Sequence, residues 1–178
     1  MKRITFSILI LVILSFTSIA CANIHGKENP AIFADMQNNP SKYITCGSIG
    51  MGLSYHLDKS SIRVDKYAPP IYIIAFRVIS HKSPENYTYE EWVRYYYDYT
   101  SRKIYREIYF KKSSDDVGKP QWDYIDIHLL NDKRMGSSNR AGLLSWIAEG
   151  EIAFYLAYDM SFFDNPVTQV FKEYINKN

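Results

Sequence analysis

The stretch IYIIAFRVI, residues 71–79, gives the clearest strand signal in this chain of 178 residues. Apolar side chains occupy both alternating sets of positions, so both faces of the strand are apolar, with Arg77 as the exception. Such a pattern is typical of a central strand in a sheet. Pro69 and Pro70 stop the preceding strand because proline cannot donate to a strand ladder.

The stretch EEWVRYYYDY, residues 90–99, alternates with the same period and is followed by a short connection and a second arm over residues 103–111. One face of the first arm carries Val93, Tyr95, Tyr97 and Tyr99, and the other carries Trp92, Arg94, Tyr96 and Asp98. On the second arm, Arg106 shares the side of Ile104. The two arms predict a β-hairpin.

The rest of the chain supplies further strands and a change of period at its end. We predict strands over residues 54–57, 62–64 and 122–130, a turn at 58–60, a surface loop over 131–142, and helices over 31–37, 151–163 and 167–175. The glycines around residues 47–52 predict a strand that approaches its neighbours closely. Together these elements predict an α+β fold, an antiparallel β-sheet of about five or six strands with a C-terminal helix packed on one face.

Residues 1–22 have the three parts of a secretory signal peptide, namely a basic start, an apolar stretch over residues 4–19 and small residues before a cleavage site. Ala20 and Ala22 frame Cys21 in an A-x-A arrangement, which predicts cleavage after Ala22. One alternative is a permanent anchor, although the apolar stretch is shorter than the ~20 residues that a spanning helix needs. The other is a lipoprotein that keeps Cys21 as its lipidated first residue.

Cleavage at this point predicts three parts: a signal peptide (residues 1–22), a lead-in segment (23–45) and a single α+β domain (46–178). The cleaved chain carries 19 basic and 19 acidic residues, since two of the 21 basic residues belong to the signal. A neutral chain with interspersed charges gives no reason to expect a nucleic-acid partner. It also has no predicted transmembrane segment.

Cysteine usage places a further limit on the cleaved chain. Only Cys46 remains, so no intramolecular disulfide can form. A cysteine acts as a nucleophile when a neighbour such as histidine lowers its pKa. We expect Cys46 instead to be a small buried residue before the glycine-rich strand.

Trp92, Arg94 and Tyr96 are the candidate binding residues. They form a row on one strand face, and flat aromatic rings beside a guanidinium suit sugars, peptides and protein surfaces. The alternative is that this row packs under the C-terminal helix, which needs an apolar sheet surface to cover.

Asp126 and His128 lie two residues apart on a predicted strand, which would point both side chains in the same direction. Such a pair supplies half of a metal site or part of a small hydrolase site. His56 and Asp58 show the same spacing. Neither pair is complete, so we expect no metal, no cofactor and no catalytic residues.

Two resemblances rest on short motifs. The stretches AEGEIAFYLAY (148–158), Tyr97-Asp98 and WDYID (122–126) resemble a family of small, uncharacterised exported bacterial proteins, and the match spans roughly residues 50–163. It implies a shared fold and export. The stretch YHLDKSSI (55–62), followed by a long apolar strand and a basic hairpin, is similar to the layout of surface-adhesin protein E domains, which implies adhesion.

The sequence therefore predicts a non-catalytic exported binding or cell-envelope protein, placed in the periplasm, at the cell surface or outside the cell. Its expected partner is a protein, a peptide or a glycan. The alternatives are a small secreted hydrolase that uses Asp126 and His128, and a structural subunit that pairs through an aromatic sheet face. The sequence leaves the oligomeric state open.

Overall fold

The structure, a computed structural model, describes residues 27, 28, 30–85, 87–108 and 121–177. Its strands are β1 (Lys27–Glu28), β2 (Tyr43–Ile49), β3 (Leu53–Ala68), β4 (Ile71–Lys82), β5 (Tyr87–Asp98), β6 (Lys103–Ile108) and β7 (Gln121–Tyr124). Its helices are α1 (Pro30–Asn38), α2 (Ser137–Tyr158) and α3 (Gln169–Lys177), with 3-10 turns at Pro40–Lys42 and Ile127–Asn131. The predicted signal peptide and the end of the second hairpin arm, residues 109–111, lie outside the described residues.

Strands β2 to β7 lie side by side in chain order, each antiparallel to the next. The short β1 pairs with the beginning of β5, where Lys27 faces Glu90, and β6 pairs with the end of β5. The predicted α+β fold, with its antiparallel sheet and a helix on one face, is confirmed. The short helices predicted over residues 31–37 and 167–175 are present as α1 and α3.

The tyrosines of β5 join the sheet to α2. We define the inner face of the sheet as the face that carries Val93, Tyr95 and Tyr97, all of which are buried. The Tyr95 hydroxyl donates to the Glu149 carboxylate at 2.8 Å, and the Tyr97 hydroxyl donates to the Gly150 carbonyl oxygen at 2.9 Å. These bonds satisfy polar groups that burial would otherwise leave without partners.

Aromatic rings fill the inner core at the C-terminal end of α2. The Phe154 ring lies 5.0 Å from that of Tyr97, 5.4 Å from that of Tyr72 and 5.2 Å from that of Phe162, measured between centroids. Each such pair contributes about 0.5–1.5 kcal/mol beyond its burial. The high aromatic content of the chain therefore serves packing here.

The predicted helix over residues 151–163 is wrong at both ends. The helix α2 begins at Ser137, inside the predicted surface loop over residues 131–142, and it ends before Asp159, whose backbone is left-handed with a φ of 53°. Almost every residue in the middle of α2 is buried, on several sides of the helix. A helix that is buried all round has no single apolar stripe, so periodicity located only its last turns.

Two predicted strands, over residues 54–57 and 62–64, are parts of the single strand β3. The predicted turn at residues 58–60 is an irregularity within it, where the register with β4 shifts between Asp58 and Arg63. The Asp58 carboxylate accepts hydrogen bonds from the backbone N–H and the hydroxyl of Ser60. These two bonds stabilise the irregular stretch of backbone. The chain nevertheless keeps its direction.

The strand predicted over residues 122–130 ends at Tyr124. The Asp126 carboxylate accepts the backbone N–H of His128 at 2.9 Å and so begins a 3-10 turn. Aspartate favours this local bond over a strand ladder because its short side chain reaches the backbone two residues on. Asp126 and His128 therefore do not share a strand face as predicted.

A glycine sets the distance between β2 and α2. A Cβ atom added to Gly47 would lie 2.0 Å from Oγ and 3.0 Å from Cβ of Ser145. The Ser145 hydroxyl already donates to the Ala141 carbonyl oxygen at 3.0 Å. The close approach predicted for the glycine-rich strand is thus confirmed at this position.

We expect Gly47→Ala to lower the free energy of unfolding by about 1–3 kcal/mol, because the added methyl group pushes α2 away from β2. Urea denaturation of both proteins measures the change. Gly50→Ala is the matched control, since no heavy atom lies within 4 Å of a Cβ built there. Equal stability of the two variants would contradict the close packing of β2 and α2.

Candidate functional site

The predicted binding row of Trp92, Arg94 and Tyr96 lies on the outer face of the sheet, which is turned away from α2. Side chains alternate between the two faces of a strand, so the burial of Tyr95 and Tyr97 against α2 directs this row outward. The alternative that the row packs under the C-terminal helix is therefore wrong. Trp92 keeps 46% of its surface exposed.

Arg94 is held by carboxylates from both neighbouring strands. Its Nε donates to Asp65 on β3 at 3.0 Å, and its Nη1 donates to both carboxylate oxygens of Glu107 on β6 at 3.4 Å. Its guanidinium also lies over the Trp122 ring, 5.7 Å from the centroid. These contacts fix the position of the guanidinium without any ligand.

Aromatic rings continue on either side of Arg94. The Tyr96 ring lies 5.7 Å from the Trp122 ring, and the Arg63 guanidinium lies over the Trp92 ring, 5.5 Å from its centroid. Arg63 donates to Asp65 at 2.7 Å, and the bonds from Arg63 and Arg94 hold the pKa of Asp65 below its usual range. We call the following residues the outer patch: Arg63, Asp65, Trp92, Arg94, Tyr96, Tyr105, Glu107 and Trp122.

The helix α1 covers the outer face at one end of the sheet. Ile32 of α1 packs with Tyr43 and Ile79 in a small apolar cluster. Next to it, Arg77 donates to the carboxylates of the buried Asp58 and of Glu90. Arg77 faces Trp92 across the ladder of β4 and β5, so the outer patch begins where this covered end stops.

The Asp126 and His128 pair does not extend to a third ligand. The Asp126 carboxylate is used by the backbone N–H of His128, and the His128 side chain is exposed. Within residues 27, 28, 30–85, 87–108 and 121–177, no cluster of three or more His, Cys, Asp or Glu side chains is placed to hold a metal ion. The structure adds nothing to the hydrolase alternative.

His56 is a structural residue in the outer face. Its Nδ1 lies 3.1 Å from the Thr45 hydroxyl, and its Nε2 lies 2.8 Å from the Ser54 hydroxyl. Burial, assisted by the neighbouring His81, lowers the pKa of His56 to about 4. A neutral imidazole with both nitrogens next to hydroxyl groups is satisfied without a metal.

Cys46 is buried, with 1% of its surface exposed, as expected for a small core residue. Burial raises the pKa of its thiol well above the ordinary value, and the negative charge of Glu149 adds to this effect. A thiol that stays protonated and inaccessible is a poor nucleophile.

A second group of ionisable residues lies on the inner face, and the sequence did not single it out. Arg106 of β6 donates to Glu91 of β5 at 3.2 Å, and its guanidinium lies over the Trp146 ring, 5.2 Å from the centroid. The fully buried Glu149 accepts the Tyr95 hydroxyl beside them. We call these five residues the inner cluster.

Glu149 differs from Glu151, the other buried glutamate of α2. The Glu151 carboxylate accepts the backbone N–H groups of Val167 and Thr168 and the Thr168 hydroxyl, at 2.6–3.0 Å, and so anchors the start of α3. The Glu149 carboxyl group instead accepts a hydrogen bond from the Tyr95 hydroxyl. Burial raises the pKa of Glu149 to about 7, against opposing effects of Arg106 and Tyr95.

The sequence carried a signal for this cluster. Glu149 interrupts the apolar stretch of residues 147–154, and Arg106 shares its strand side with Ile104. A charged residue at an apolar position in each of two elements suggests a buried pair. Periodicity alone could not show that the Arg106 side chain of β6 reaches Trp146 of α2.

Comparison of the chain with models of protein families, with curated proteins and with solved structures finds no match. Function must therefore be inferred from the geometry of the outer patch and the inner cluster. In the described part of the chain, no helix has both the length and the apolar character that crossing a membrane requires.

We expect Glu149 to make the free energy of unfolding depend on pH between about 4.5 and 7. Its pKa rises from an ordinary value of 4.5 to about 7 on folding. Between these two pH values the carboxyl group is therefore protonated in the folded state and ionised in the unfolded state. Stability relative to Glu149→Gln is then greatest below pH 4.5. It falls by an amount on the order of 3 kcal/mol as the pH rises through 7.

Urea denaturation of both proteins at several pH values measures this difference. The comparison isolates Glu149 because Glu151 and all other titrating groups are present in both proteins. A constant difference from pH 4.5 to 7.5 would contradict the assignment.

Proposed function

We propose that this protein is an exported, non-catalytic binding protein and that the outer patch docks a protein partner. The observation that carries this proposal is the half-exposed Trp92 at the middle of a strand, beside an arginine that the fold itself holds in place. Tryptophan, tyrosine and arginine are the residues enriched at the energetic centres of protein interfaces. The outer patch consists largely of these three types.

The shape of the outer patch favours a protein over a small molecule. The patch extends from Arg63 on β3 to Trp122 on β7, which is four strand spacings or about 19 Å. Small ligands bind in concave pockets. A standard protein interface instead uses a broad surface, to which each partner contributes roughly 800 Å². A wide sheet face therefore suits a partner with a surface of its own.

The charges of the outer patch point in the same direction. Arg63 and Arg94 are matched by Asp65 and Glu107, and all four take part in ion pairs with one another. A patch without net charge does not attract a polyanion such as nucleic acid. It suits a partner surface of mixed polarity, with the ion pairs supplying orientation.

Export is the other part of the proposal, and the signal peptide predicted over residues 1–22 supports it. The resemblance to small exported bacterial proteins and to surface-adhesin protein E domains agrees with a protein that binds at or beyond the cell envelope. The neutral charge of a chain cleaved after Ala22 gives no reason to expect binding to anionic polymers.

We expect a photo-crosslinking amino acid at position 92, introduced in the native host, to form a covalent adduct with a different protein. With that partner purified, Trp92→Ala should weaken binding about 30-fold, the usual effect of removing a central interface tryptophan. Arg94→Ala should weaken it as well, and calorimetry measures both.

Tyr87 provides the matched control, because it is 47% exposed, lies on the same strand and points to the opposite face. Crosslinks from position 87 should be absent, and Tyr87→Ala should bind normally. Equal crosslinking from both positions, a glycan adduct or a second copy of this chain at position 92 would contradict the proposal.

We expect intact-mass measurement of the protein from its native host to give a chain that begins at Asn23. Signal peptidase cuts after the small residue Ala22, which leaves an unmodified amine at the new terminus. A lipid-modified chain beginning at Cys21 would instead identify a tethered lipoprotein. An uncleaved chain beginning at Met1 would contradict the predicted signal.

A further inference from the structure

We propose that Glu149, Arg106 and Glu91 form a proton-controlled switch between α2 and the hairpin of β5 and β6. In the protonated state the Arg106 guanidinium binds Glu91, as it does in the structure. When the Glu149 carboxyl loses its proton to solvent, the guanidinium shifts inward so that its Nε–H donates to the new carboxylate. The switch is independent of the proposed partner binding.

The geometry around Glu149 demands such a response. Its side chain is 1% exposed and accepts the hydroxyl of Tyr95, which is paired with Arg106 across the ladder of β5 and β6. A buried carboxylate without a cation costs several kcal/mol. The positive charge of Arg106 on β6 acts on Glu149, and Arg106 is paired with the residue that bonds to Glu149, so we expect ionisation of Glu149 to draw this guanidinium inward.

Arg106 has the donors to make the change. Its Nη2 bonds to Glu91 near the surface, whereas its Nε is buried and has no acceptor among the described residues. An unpaired N–H in the interior is unfavourable, and a carboxylate nearby would satisfy it. The Nε–H is therefore available to the ionised Glu149 carboxylate, while Nη2 serves Glu91.

The groups that face Glu149 come from four strands. They are Cys46 of β2, Tyr55 of β3, Glu91, Tyr95 and Tyr97 of β5, and Arg106 of β6. The cysteine and the tyrosines have raised pKa values, so they stay protonated near neutral pH. Arg106 stays charged, because the neighbouring tyrosine and carboxylates raise its pKa further.

Glu149 is therefore the group that titrates near neutrality. Burial and the negative charge of Glu91 raise its pKa, and Arg106 lowers it, with the balance at about 7. Neutralising Glu91 would remove its repulsion of the Glu149 carboxylate and its ion pair with Arg106. The same titration should then occur at lower pH.

Trp146 provides the readout, because the guanidinium that moves lies over its ring. The chain has three tryptophans, so Trp92→Phe with Trp122→Phe leaves Trp146 as the only one. In this background we expect the Trp146 emission to change with a single midpoint near pH 7. Glu149→Gln should abolish the transition, and Glu91→Gln should move its midpoint down by about half a unit.

Glu107→Gln is the matched control, since Glu107 lies on β6 next to Arg106 but faces the outer patch. Its midpoint should equal that of the parent. A transition that persists in Glu149→Gln, or a midpoint that Glu91→Gln leaves unchanged, would overturn the switch.

NMR of the wild-type protein provides a test that needs no variant to fold. The Glu149 carboxyl carbon and the Arg106 Nε–H resonance should titrate together, and the Nε–H should move downfield as it gains an acceptor. An Arg106 resonance that stays constant while Glu149 titrates would also overturn the switch.

Discussion

The packing of α2 against the inner face of the sheet is the contact on which the other features depend. The hydroxyl groups of Tyr95 and Tyr97 donate hydrogen bonds to α2, and these bonds fix which side of β5 is buried. Since a strand alternates with a period of two, the same contact turns Trp92, Arg94 and Tyr96 outward. The outer patch is thus a consequence of how the core is built.

The same contact explains why ionisable groups lie in the interior. Glu149 enters the core because it stands on the sheet side of a helix that is covered all round. Its companion Glu151 is satisfied by backbone donors at the start of α3, whereas Glu149 depends on Tyr95 and on the charge of Arg106. One face of the sheet therefore exposes the outer patch, and the other holds the buried ionisable groups of the inner cluster.

Much of the sheet was predictable, because alternation is a local property. The central strand β4 and the hairpin of β5 and β6 follow from short stretches of sequence. The glycine-rich strand was predicted from its glycines, but its division into β2 and the start of β3 was not, since glycine and small polar residues carry no apolar pattern. At Asp58 and Asp126 the side chain bonds to the nearby backbone, in one case inside a strand and in the other at its end, and the sequence does not distinguish these outcomes.

The sequence by itself determined the α+β class, the antiparallel hairpin and the composition of the row Trp92, Arg94 and Tyr96, because these depend on neighbours along the chain. Only the tertiary structure decided that the opposite face of β5 meets α2, and which charges become partners. Arg94 meets Asp65 from 29 residues away, and Tyr95 meets Glu149 from 54 residues away. Such pairs follow from the order of strands and the path of a helix, which periodicity does not encode.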